Sequence, residues 1–63
     1  MTADEFMAGA TVTARGTDWG DPLWTFDNPG ASLSIDAQGA TLADATTAAR
    51  DAAAAILAGR TSG

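Results

Sequence analysis

The sequence predicts an α+β domain: a three-stranded antiparallel β-meander covered by one C-terminal, alanine-rich helix, in the order β-β-β-α. Three observations carry this. Apolar and polar residues alternate with period two in "ATVTAR", "PLWTFD" and "SLSIDA", the pattern of half-buried strands. Short stretches rich in Gly, Asp and Pro separate those runs, as in a meander. The stretch "GATLADATTAARDAAAAILAG" then switches to apolar positions three and four residues apart, the spacing of an amphipathic helix.

The first strand is expected over Ala10–Arg15, with Ala10, Val12 and Ala14 on one face and Thr11, Thr13 and Arg15 on the other. "GTDWGD", Gly16–Asp21, has the residue types of a turn. The second strand is expected over Pro22–Asp27, where Pro22 suits a first strand residue or an edge. Trp24 and Phe26 point toward the core, with Leu23 and Thr25 opposite. In "DNPG", Asp27–Gly30, Pro29 presets one dihedral and Gly30 accepts positive φ. The third strand is expected over Ser32–Ala37, with Leu33, Ile35 and Ala37 inward and Ser32, Ser34 and Asp36 toward water.

Thr41 caps the helix by accepting from the backbone N–H of Asp44, whose carboxylate favours the first turn. Alanine is the best helix former, and Gly59 is placed as the C-terminal cap with Arg60 near the negative end of the dipole. Leu42, Ala45, Ala49, Ala52, Ala53 and Ile56 form the apolar stripe, with Leu57 adding bulk at its end. A flat alanine face lets a helix sit close to a sheet that supplies the large side chains, Trp24, Phe26 and Ile35. Before the first strand, "TADEFMA" reads as a short helix capped by Thr2 and ended by Gly9, or as a tail. The expected division is therefore 1–9 as tail or short helix, 10–60 as the single domain and 61–63 as a C-terminal tail.

A chain of 63 residues is at the small end of what buries a core unaided. It has no cysteine and no histidine, hence no disulfide staple and no thiolate metal site. Oligomerisation is the remaining common way to complete such a core. Eight carboxylates oppose three arginines, with no lysine. That balance disfavours direct contact with nucleic acid, which needs Lys or Arg along the phosphates, and with anionic membranes. It suits a basic protein partner drawn by electrostatic steering. No apolar run reaches transmembrane length. The acidic N-terminus lacks the positive charge of a signal peptide, so the expected location is the cytoplasm.

No catalytic constellation is expected. Asp18, Asp21 and Asp27 read as turn residues, since "DWGD" and "DNPG" lack the oxygen-ligand spacing of a calcium loop. With no His, Cys, Lys or Tyr, the usual nucleophiles and bases are mostly missing; no metal and no cofactor is expected. The residues singled out for partner binding are Trp19, Phe6, Met7 and Arg15. A tryptophan in a polar hairpin loop either folds back over the core or anchors a partner. Phe6 and Met7 form an apolar patch, and Arg15 stands on the polar face of the first strand.

"GATLADATTAARDAAAAIL", Gly39–Leu57, resembles the G-x-T-L-x-[ED]-A-x-x-x-A-R-[DE]-A stretch of HicB-like antitoxin domains, matching at Gly39, Thr41, Leu42, Asp44, Ala45, Ala49, Arg50, Asp51 and Ala52. "PLWTFDNPG" is similar to that family's second strand and its Pro-Gly turn. The resemblance, over about residues 10–58, implies a partial double-stranded-RNA-binding-domain fold, self-association and binding of a small basic RNase toxin. It carries over no catalytic residues. The Gly30–Gly39 segment is longer than the family pattern, and no DNA-binding segment is expected after the helix; the resemblance then implies the toxin-neutralising half alone. The sequence thus points to a small, non-catalytic protein-interaction module that self-associates. The alternative is a structural or accessory subunit of a larger symmetric assembly, such as a bacteriophage capsid or tail, located in the virion.

Overall fold

The computed structural model describes residues 1–61, the side chain of Thr61 excepted. It is the α+β fold expected, with one further packed element. Helix α1 (Ala3–Ala8) precedes strands β1 (Thr11–Thr17), β2 (Gly20–Asn28) and β3 (Leu33–Gln38), and helix α2 (Leu42–Thr61) follows; a single 3₁₀ turn, Pro29–Ala31, joins β2 to β3. The strands form one antiparallel sheet in the order β1-β2-β3. Both β1 and β2 run further into the first turn than the alternation predicts. Thr17 pairs with Gly20, which leaves only Asp18 and Trp19 as the hairpin loop. The register slips between Arg15 and Thr17, a bulge beside the hairpin loop. Ser32 adopts the left-handed conformation and ends the 3₁₀ turn rather than opening β3.

The inner face of the sheet carries Phe26, Ile35 and Ala37, and α2 lies against it through Ala45, Ala49, Ala53 and Leu57; all are buried. The expected stripe is corrected at both ends: Leu42 is 47% exposed and Ile56 40%, while Leu57 is buried. Four residues turn a helix about 40° past one full revolution, so a ridge of every fourth residue slants around its axis. The contact follows that ridge across a twisted sheet. Leu42 and Ile56 start close to it in sequence and end up beside it in space.

Two close approaches fix where the helix begins. The backbone N–H of Gly39 donates to Pro22 O at 3.2 Å. A Cβ added at Gly39 would stand 3.0 Å from Ala45 N and 3.1 Å from Asp44 Cβ, so any larger residue makes the first turn of α2 give by a few tenths of an ångström. Asp44 N donates to Thr41 Oγ1 at 3.2 Å, the cap expected. Trp24 is half-buried, and its Nε1–H donates to Gly39 O at 3.0 Å, latching the same corner. At the other end α2 runs through Gly59 without stopping. Arg60 there reaches back to the turn before β3, donating to Ala31 O at 2.7 Å and Ser32 O at 3.2 Å.

Residues 3–8 are helical, not a tail. Thr2 and Glu5 form a reciprocal capping box: Glu5 N donates to Thr2 Oγ1 and Thr2 N to a Glu5 carboxylate oxygen. The bonds from Thr2, and the nearby N-terminal charge, hold the Glu5 carboxyl below its ordinary pKa. The cap is thus complete above the usual carboxylate range and is lost as pH falls through the lowered value. An exposed ion pair, Arg50 to Asp4, joins α1 to α2; at that exposure it contributes little, about 0–1 kcal/mol.

Asn28 is the buried polar residue of the core. Its amide donates to Phe6 O at 3.1 Å, and its carbonyl accepts from Ala31 N at 3.3 Å. One side chain therefore ties α1 to the end of β2 and caps the 3₁₀ turn. Replacing it with alanine leaves both backbone groups without partners, so Asn28→Ala is expected to cost about 1–3 kcal/mol, read as a lower urea midpoint with unchanged slope.

Candidate protein-interaction surface

The four residues singled out for partner binding separate into distinct places. Phe6 is 0% exposed and packs beneath α2 with Phe26, a correction: its side chain belongs to the core, because α1 docks and inserts it between sheet and helix. Met7 is half-buried against the same core. Arg15 is exposed on β1, and Trp19 stands 90% exposed at the tip of the β1–β2 hairpin. Of the two outcomes open for Trp19, projection into solvent is the one observed. The tip is braced: Thr17 Oγ1 lies 3.1 Å from Gly20 O and 3.0 Å from Asp21 O, and Gln38 Nε2 donates to Asp21 O at 2.9 Å.

The surface feature that alternation alone does not disclose is the bareness of β1. Val12 pairs with Phe26 and Ala14 with Trp24, so both lie on the inner face as expected. Yet α2 packs chiefly on β3, and no residue of β1 is buried; Val12 is 40% exposed. A single helix narrowed by alanine does not span three strands spaced about 4.8 Å apart. The signal was present in the mismatch between a three-stranded sheet and one thin helix.

Backbone polarity at the two sheet edges follows from one hydrogen bond. Gly39 N donates to Pro22 O, so Pro22 faces β3, and backbone direction alternates along an antiparallel strand. Even-numbered β2 residues thus face β3; Leu23, Thr25 and Asp27 face β1 and exchange bonds with Arg15, Thr13 and Thr11. The N–H and C=O groups of Val12 and Ala14 therefore point out from the free edge. By the same alternation Ser34 and Asp36 point away from the outer edge of β3, and so does the Ser32 carbonyl, which Arg60 occupies.

The outer face is polar. Thr11, Thr13 and Arg15 stand beside Asp27, Thr25 and Leu23, which stand beside Ser34, Asp36 and Gln38. Thr25 Oγ1 donates to Asp36 Oδ1 at 2.8 Å. β1 itself carries no carboxylate, and its single charge is Arg15. Among the described residues no pocket opens, no three acidic side chains converge to hold a metal ion, and no helix is long and apolar enough to cross a membrane. No protein-family model, curated protein or solved structure matches the chain.

Proposed function

We propose that the chain is a small, non-catalytic protein–protein interaction module that engages its partner through the β1 edge and the Trp19 hairpin tip. The observation that carries this is β1 itself: an edge strand with no buried residue, ending in a tryptophan held 90% exposed on a braced turn. An unpaired strand edge is a template for another chain, and tryptophan is enriched among residues that dominate interface energies. The net charge of −5 favours a basic partner. The HicB-like resemblance over Gly39–Leu57 adds that such a partner is of the small toxin kind, with this chain as the neutralising module.

The test is differential binding. The immobilised chain and its Trp19→Ser variant are exposed to an extract of the source cells. A protein retained only by the wild type is then purified and titrated calorimetrically. A basic protein whose affinity falls with added salt, and falls roughly 30-fold or more on Trp19→Ser, is the expected outcome. Equal binding by the variant removes the hairpin from the interface. Retention only within a large assembly moves the reading to a structural subunit.

A further inference from the structure

We infer that the free edge of β1 is the pairing site for a second copy of this chain, joined antiparallel about a two-fold axis through Thr13, so that two three-stranded sheets become one. This rests on reading β1 as an interaction edge, and goes further by naming a second copy as the occupant of the strand edge itself, which leaves the basic partner to the Trp19 hairpin tip, and by naming the register.

Backbone direction comes first. Only Val12 and Ala14 present free N–H and C=O groups between the α1–β1 junction and the bulge, and bonded pairs across an antiparallel junction must join such residues. Centring the pair on Thr13 sets Val12 opposite Ala14 of the second copy, and Ala14 opposite Val12 of the second copy. Each such pair exchanges both of its backbone bonds.

Charge selects this register among those the backbone permits. With Thr13 at the axis, Arg15 of the second copy falls beside Thr11. Thr11's neighbour on β2, on the same outer face, is Asp27. The guanidinium then extends over Thr11 toward that carboxylate, and symmetry repeats the contact. Centring on Ala14 instead sets Arg15 beside Thr13, whose β2 neighbour is the uncharged Thr25. Centring on Val12 carries Arg15 beyond the partner's strand.

Charge also selects the edge. A chain of net charge −5 repels its copies over most of its surface, but β1 has no carboxylate. Self-pairing along β3 brings Asp36 of the two copies together, and Arg60 already closes one end of that edge. The Thr13 register also sets Thr17 level with Gly9 of the second copy. The hairpin tip with Trp19 thus lies alongside the end of the other α1, where Met7 is half-buried, within reach of a sulfur–aromatic contact.

Sedimentation velocity of the 6.3 kDa chain over concentrations from about 1 μM to 1 mM, with circular dichroism in parallel, is the test. The wild type is expected to be a dimer. Ala14→Pro deletes an outward N–H and no bond to β2, which an edge strand tolerates; Val12→Lys places a charge at the junction. Each is expected to remain folded with dimer Kd raised at least about tenfold. Arg15→Asp is expected to weaken the dimer, and Arg15→Asp with Asp27→Arg to restore it. Exchange of the Val12 and Ala14 amides slows with concentration, while Thr11, Thr13 and Arg15 stay protected throughout. A folded monomer across that range overturns the inference while leaving the partner-binding reading to its own Trp19 test. So does a dimer indifferent to both Val12→Lys and the charge reversal.

Discussion

Phe26→Ala is expected to leave the chain largely unfolded at room temperature. Phe26 is 1% exposed and sits on the middle strand β2, flanked across the strands by Val12 and Ile35. With Phe6 it is one of the two largest fully buried side chains. Removing such a ring loses its transfer free energy and leaves a cavity, about 3–5 kcal/mol together. Larger domains withstand that. Here the middle of the helix face packed on the sheet is Ala45, Ala49 and Ala53, which have no long side chains to swing into the space. Stability of a single domain is only about 5–15 kcal/mol in general, and small domains lie toward the low end. Far-ultraviolet circular dichroism and urea titration read the loss directly. Phe26→Leu, which preserves most of the volume, is expected to cost less than about 1.5 kcal/mol and to remain folded.

Ala49→Leu is expected to destabilise although it adds an apolar group to an apolar site. Ala49 is fully buried midway along the ridge Ala45, Ala49, Ala53, and the spacing between α2 and the sheet is set by methyl groups there. The larger side chain must lift the helix or distort its rotamers, costing about 1–3 kcal/mol. Lifting the helix also strains the Gly39 corner, where no atom can be added without a shift. Ala54→Leu, on the exposed side of the same helix, serves as the control and is expected to change stability within about 0.5 kcal/mol. Opposite responses to one chemical change, five residues apart, would establish that the thin face of α2 is a steric requirement. An equal response at both sites would mean that alanine is there for helix propensity alone.

The same comparison marks what could be read from residue types. The alternation of Leu33, Ile35 and Ala37 with Ser34 and Asp36 matches the structure, with Leu33 half-buried, Ile35 and Ala37 buried, and Ser34 and Asp36 exposed, because a strand has period two whatever it packs on. Thr41 before an alanine run determines where α2 starts, because capping is local. Arg15 was legible as a surface residue from the polar face it shares, whereas Trp19 in its polar loop left core and solvent equally open, and the fold placed it in solvent. Phe6 was not legible as core: nothing in "TADEFMA" shows that Asn28, twenty-two positions away, holds that turn of helix down.

The sequence by itself determined the β-β-β-α order, the inner face of each strand and the N-terminal cap of the long helix, all consequences of backbone periodicity and short-range hydrogen bonds. The tertiary structure alone decided that Phe6 joins the core and that Leu57, not Leu42 or Ile56, closes it. It also decided that β1 is left bare with Trp19 beyond it. Those outcomes depend on the angle at which one slanted ridge of alanines crosses a twisted sheet, and on how many strands so narrow a helix can cover.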